Sequence, residues 1–380
     1  MSEQLGEALR TSAEKPHRDL VPWQRMPMLA LGFASLLLGV IAGEVRLGWS
    51  LPLPRPELIA LHGPLMICGF LGTLIGLERA VAVGWRLVYL GPAASAAGAV
   101  SLIAGAPVTV GAALFTLGAL GLTAATYIAY RRQPAFHILT LLMGAGAWLV
   151  GNILWLGGNP VLHLVPWWAA FLILTIAGER LELSRLLRPT PGAHLMFAML
   201  VVAMLVTLAA MGFQLTLAQG AFSLLMLGLT LWLVRHDIAR RTIRSRGLTR
   251  YMAVCLLSGY AWLAVAALIG LFSGGIFAGS AYDAALHAIF LGFVFSMIFG
   301  HAPVILPSVT RLAVPFHPLF YTHWGVLQLA LILRVVSPAF GWHEAHQLAA
   351  AANGIAILLF LLNTVSAVVR GRRKHHMAQT

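Results

Sequence analysis

The sequence predicts an all-α, polytopic membrane protein of about twelve transmembrane helices, and three observations carry that expectation. The chain has 380 residues, of which 59% are hydrophobic and only 10% charged. Its apolar runs have the length of a membrane crossing, and its Lys and Arg residues collect on one side of them. A soluble domain carries about 25% charged residues, so this deficit leaves most of the surface facing something other than water.

The runs fall at 26–46, 57–78, 87–105, 108–130, 136–157, 162–178, 194–212, 216–235, 250–272, 281–300, 318–336 and 347–369. Each is close to the ~20 residues that a helix needs to cross the hydrocarbon core. The segment 162–178 is the shortest, and Gly105-Ala106-Pro107 joins runs three and four through a tight turn. Residues 1–25 are polar and mixed in charge, without the pattern of a cleavable signal. They read as a cytoplasmic tail, 26–369 as the membrane domain, and 370–380 as a basic cytoplasmic tail.

Basic residues set the direction. The two tails and the loops after helices 2, 4, 6, 8 and 10 hold 22 Lys and Arg, whereas the opposite side holds only Arg46, Arg55 and Arg334. The expectation is a multi-pass protein of a bacterial-type inner membrane with both termini cytoplasmic. Topology and anionic lipid account for the net charge of +13, so no nucleic-acid partner is expected. Cys68 and Cys255 are too few for an iron–sulfur cluster, which takes four ligands, and read as packing residues. Trp49, Trp167, Trp168 and Trp342 fit an outer aromatic belt, and Trp85 an inner one.

Polar groups inside spans are the candidates for function. His62, His163 and His287 each follow a leucine near the outer start of helices 2, 6 and 10. Helix 2 ends Ile75-Gly76-Leu77-Glu78-Arg79 and helix 6 ends Ile176-Ala177-Gly178-Glu179-Arg180. The His-to-Glu spacing is 16 residues in both, about 24 Å of helix. Helices 2, 6 and 10 therefore read as equivalent elements of three four-helix arcs in a pseudo-threefold arrangement. The Glu-Arg pairs read as interfacial anchors or as a polar gate.

Neutral imidazole is a good ligand for haem iron, and a bis-histidine site takes one from each of two facing helices. His62 and His287 suit that role, with Gly69, Gly72, Gly76 and Gly292 offering small surfaces to a macrocycle or a neighbouring helix. Interhelical hydrogen bonding or a proton relay, with glycine for plain helix packing, fits the same residues. His287 and His301 are 14 residues apart, about −40° from a shared face and about 21 Å along the axis. That spacing suits a second haem at His301, partnered by His137, His317 or His323. Asp283 stands one turn before His287, as an acceptor orienting the imidazole or as a carboxylate favoured by the helix dipole.

The helix plan, with histidines on helices 2, 6 and 10, resembles the core subunit of haem–copper oxidases. In that family helices 2 and 10 hold a low-spin haem, helix 10 also holds a high-spin haem, and helix 6 contributes to copper. The NnrS family, haem-containing membrane proteins linked to nitric oxide, is a closer resemblance. His62-Gly63-Pro64-Leu65-Met66-Ile67-Cys68-Gly69-Phe70 is similar to its signature His-x-His-Glu-Met-x-x-Gly-Phe. Leu286-His287-Ala288 through Gly292, with Ser296-Met297, is similar to its Leu-His-Ala-x-x-x-Gly followed by Thr-Met, and Phe320 to Pro338 continues the match loosely. Pro64 and Leu65 replace the second histidine and the glutamate of the first signature. His301-Ala302-Pro303 replaces Met-Thr-Arg, the Gly-His-Thr-Gly segment is absent, and His194 of helix 7 lies on the wrong side for copper.

The resemblance implies b-type haem at His62 and His287, an extra metal such as copper at His163, and a role in nitric oxide response or redox electron transfer. A small redox donor or a diatomic gas would be its partner, beside the lipid bilayer. A proton-coupled secondary transporter, using the intramembrane histidines and Glu-Arg groups, is the competing expectation.

Overall fold

A computed structural model describes residues 19–184, 187, 189–212, 216–273 and 279–377. Residues 1–18, Arg185, Arg188 and the last three positions, on which parts of the tail and charge expectations fall, lie outside the described residues. Twelve helices are long and apolar enough to cross a membrane, and no strand occurs among the described residues. They are α1 (Pro22–Arg46), α2 (Pro56–Val83), α3 (Arg86–Ala104), α4 (Val108–Arg132), α5 (Phe136–Leu156) and α6 (Val161–Ser184). The chain continues through α7 (Pro191–Met211), α8 (Thr216–His236), α9 (Gly247–Phe272), α10 (Gly279–Thr310), α11 (Phe320–Phe340) and α12 (His343–Met377).

Successive helices pack on one another, and three of them lie inside. The most apolar windows of α6, α10 and α2 are 72, 67 and 61% buried, more than those of the other nine. Each of the three packs against the other helices of its own arc: α2 on α1, α3 and α4; α6 on α5, α7 and α8; α10 on α9, α11 and α12. Helix α10 also touches α1, α2 and α6, so it is the element on which the arcs converge. The ring of Phe70 on α2 lies 6.3 Å from that of Phe295 on α10.

A buried polar knot fastens the first arc to the second. Asn152 on α5 accepts from the Trp168 indole at 3.0 Å and from the Cys68 thiol at 3.5 Å, and donates to the Phe115 carbonyl at 3.1 Å. The Trp148 indole donates to Cys68 Sγ at 3.4 Å. The thiol therefore packs as expected, and it also completes a hydrogen-bonded set that a bilayer interior demands.

Among the described residues two helices contain a π-helical stretch, and both carry a cavity histidine. In α2 a 3₁₀ turn, Pro56–Leu61, leads to His62, and a π-helical stretch follows over Leu65–Leu71. In α10 a π stretch, Ala288–Phe295, begins directly after His287. Pro64 has no amide proton to give, and Ser35 of α1 donates to the Leu65 carbonyl at 2.8 Å. A side chain inserted there, with a proline before it, is a recognised cause of a break in the i→i−4 ladder. Helix α6 is α-helical over Val161–Ser184. The sequence pairs α2 with α6 through their Glu-Arg ends, whereas the backbone pairs α2 with α10.

Helix α10 is also longer than its apolar run. It passes through Pro303 and Pro307 to Thr310, ten residues beyond 300. The buried Arg25 donates to the Val309 carbonyl at 3.0 Å, and Arg311 closes the helix in the left-handed conformation at φ 59° with its amide on the Pro307 carbonyl. These contacts satisfy terminal carbonyls that would otherwise be orphaned. At the other end of the chain, α12 continues past 369 as helix.

The four glycines expected to seat a macrocycle or a helix all serve helix packing. A Cβ on Gly72 would stand 2.5 Å from Trp148 of α5, and one on Gly292 2.5 Å from Trp262 of α9; Gly69 meets Ser35 and Gly76 meets Pro92. Gly72→Ala and Gly292→Ala are each expected to cost about 1–3 kcal/mol through overpacking, read as a lower unfolding temperature in detergent. Gly146→Ala, where nothing lies within 4 Å of the new Cβ, is the control and is expected to be neutral or stabilising by up to about 1 kcal/mol.

Candidate functional site

A cavity of about 630 Å³ opens between α1, α2, α6, α10, α11 and α12, and both His62 and His287 line it. The two helices bring their histidines to one space because the 3₁₀ turn of α2 and the first two turns of α10 stand at the same end of the bundle. Ile67, Leu71, Val165, Phe290, Leu291 and Phe295 supply much of its apolar wall.

Both imidazoles are held in the same way. His62 Nδ1 faces the Ile59 carbonyl at 3.3 Å, and His287 Nδ1 faces the Asp283 carbonyl at 2.7 Å. A carbonyl only accepts, so each Nδ1 carries the proton and each Nε2 presents a lone pair. Neither Nε2 has a hydrogen-bond partner among the described residues. A Cβ on Gly43 of α1 would make ordinary contact with the His62 ring, 3.8 Å from its Cδ2. Gly63, the next residue on α2, lines the cavity with nothing within 4 Å of a notional Cβ.

Asp283 binds His287 as the sequence allowed, and it does more. Its Oδ1 lies 3.2 Å from His287 Nδ1, and Arg334 of α11 forks onto both oxygens at 2.9 Å. His346 Nε2 of α12 stands 3.5 Å from Oδ2. The carboxylate thus ties α10 to α11 and α12 and fixes one imidazole. Arg334 is one of three basic residues on the sparsely charged side, and that isolation was the signal that could have found it. Glu44 and Asn353 also line the cavity, and nothing in the residue pattern singled them out.

The other candidate ligands are elsewhere. His163 is exposed at the start of α6, and its neighbours Val161, Leu162 and Val165 line the cavity in its place. His301 does not line the cavity, since 14 residues set it about 21 Å along α10 from His287. The π stretch between them winds more residues per turn than an α-helix, so an α-helical spacing does not fix their relative face. His301 Nδ1 faces the Met297 carbonyl at 2.8 Å and its Nε2 meets Arg180 at 3.3 Å, so both ring nitrogens are engaged. His323 is likewise held on both sides, by Tyr251 at 2.9 Å and Asn363 at 3.0 Å.

His301 belongs to a buried charged network at the arginine-rich end. Arg180 donates to Asp237 through Nε at 2.7 Å and NH2 at 2.9 Å. The same carboxylate accepts from the Tyr260 hydroxyl and from the Ala239 amide. Four donors converge on one carboxylate, which is how a charge survives out of water. Glu78 and Glu179 lie within electrostatic range of each other and of Arg79.

Residues 25–369 match the model of a family described as Domain of unknown function (DUF8744). The chain belongs to that family. The DUF8744 match covers every helix that lines the cavity and every residue of the two polar clusters. Among curated proteins none matches the chain. Among the described residues no group of three or more His, Cys, Asp and Glu side chains is gathered as a metal site. The DUF8744 chain instead offers a pair of imidazoles, which is the number an axial haem site takes.

Arg180→Met is expected to destabilise the protein by about 3–5 kcal/mol by stranding Asp237, measured as thermal unfolding in detergent. The double replacement Arg180→Met with Asp237→Leu should cost less than the single one, and an additive result would show that the pair does not act as a unit.

Proposed function

We propose that this chain is a haem-binding, multi-pass membrane protein with His62 and His287 as axial ligands, of the NnrS-like or haem–copper-oxidase-like type. One observation carries the reading: two imidazoles on facing helices line one cavity, each with its Nδ1 proton on a carbonyl and its Nε2 unengaged. Second-sphere bonds of this kind set the tautomer and orientation of a metal-binding histidine. The volume lies within the range of small-molecule and cofactor sites, and the wall is mainly apolar with a few polar groups, Arg46 among them.

The haem is b-type in this reading. Cys68 is committed to Trp148 and Asn152, Cys255 is buried on α9, and no paired-cysteine attachment motif exists. A bound haem would supply one-electron chemistry at iron, and with two histidine ligands that favours electron transfer over gas binding. Asp283 would hold His287 at a fixed orientation, and the packed Phe290 and Phe295 would exclude water. A role in nitric oxide response or in redox transfer follows from the resemblance of the two histidine motifs. The charge asymmetry supports an inner-membrane location with both termini cytoplasmic. A proton-coupled transporter is the second reading, favoured by the buried Arg180–Asp237–His301 network beside Glu78 and Glu179; substrate uptake by haem-free proteoliposomes would put it first.

Purified protein is expected to show a Soret band that shifts on reduction. His62→Ala and His287→Ala should each abolish it, while His163→Ala and His301→Ala should leave it. Absence of the band in both redox states, after expression with haem supplied, removes the proposal. Gly63→Leu is expected to fill the cavity and lower haem content with little change in unfolding temperature. Asp283→Ala should weaken haem retention by about 10–100-fold, read by haem loss to an apo-myoglobin acceptor.

A further inference from the structure

Two polar side chains in the cavity wall have buried atoms without a hydrogen-bond partner among the described residues. Asn353 on α12 is 2% exposed, and neither its Oδ1 nor its Nδ2 meets a hydrogen-bonding group. Glu44 on α1 stands close by: its Oε2 is buried without a donor, and its Oε1 lies 3.3 Å from where a Cβ on the adjacent Gly354 would be. Both residues line the cavity that holds the imidazole pair. A buried polar atom left unmet costs about 1–3 kcal/mol. The two open oxygens, Glu44 Oε2 and Asn353 Oδ1, therefore suit a guest that brings hydrogen-bond donors.

Charge narrows the guest. Arg334 is within electrostatic range of Glu44, but its guanidinium forks onto Asp283. Arg46 is exposed to the outside. Glu44 is thus the cavity's one acidic side chain without a committed counter-charge among the described residues, in surroundings where an unpaired charge is costly. Among the described residues no group of three or more His, Cys, Asp and Glu side chains is gathered here to hold a metal ion. A primary ammonium group needs only acceptors, and Glu44 Oε2 and Asn353 Oδ1 are two. Val40 and Ile357 flank them with hydrocarbon, which suits a short alkyl substituent.

We propose that Glu44 and Asn353 form a binding subsite for a small primary ammonium ligand, beside the imidazole pair and not using it. The subsite does not depend on haem, and the absorption spectrum of each sample reports haem content separately. The full-length protein in detergent is titrated with methylammonium chloride at constant ionic strength, by calorimetry and by thermal unfolding. Saturable binding with a raised unfolding temperature is expected, weakened at least tenfold in Glu44→Gln and in Asn353→Leu. Tetramethylammonium, a cation without N–H donors, and acetamide, a neutral N–H donor, should not bind saturably. Gly354→Ala, which crowds Glu44 without removing it, is expected to weaken binding too and serves if either other variant fails to fold. Equal binding of tetramethylammonium, preference for acetamide, affinity unchanged in the variants, or no binding at all would each overturn the proposal.

Discussion

A bilayer interior offers no water to a stray polar group, and the arrangement of this protein follows from that constraint. Backbone amides are absorbed by helices, and the few side-chain charges within them are matched by neighbours. Asp237 takes four donors, and Asp283 takes a forked guanidinium with an imidazole beside it. Asn152 joins four helices through three hydrogen bonds. His62 Nε2, His287 Nε2, Glu44 and Asn353 are left open beside one cavity, while the buried hydroxyls of Thr73, Ser95 and Ser223 are unmet elsewhere in the bundle.

The same constraint explains what the sequence could and could not disclose. Length, hydropathy and charge asymmetry are summed over many residues, so twelve helices were legible, with ends within a few residues except at the C-terminal ends of α2, α6, α10 and α12. These helices run on past their apolar stretches, and in α10 Arg25 and Arg311 satisfy carbonyls of the added turns. His62 and His287 were legible because an imidazole inside a span is conspicuous. Asn353 and Glu44 were not, since their meaning lies in lacking partners on other helices, and no local pattern records that.

Winding was the least legible feature. An α-helical ruler places His287 and His301 on nearly one face, and the π stretch between them spoils the reading. The ruler also matched α2 to α6 by a shared spacing of 16 residues, although only α2 contains the 3₁₀ and π turns. Such stretches are uncommon and recur at functional sites. Here the pair marks the two helices whose histidines share a space, and the glycines between them admit Trp148 and Trp262 from outside.

Helix α10 spans 32 residues, about 48 Å if it were wound as α throughout, against hydrocarbon about 30 Å thick. One continuous rod thus carries His287 near one surface and His301 near the other, while touching the members of all three arcs. Asp283 and Arg334 clamp it at the first end; Arg180 reaches it at the second. Its two prolines both lie beyond His301, so the stretch between the histidines has no proline hinge. The two clamps therefore hold a single piece of backbone, one near each of its ends.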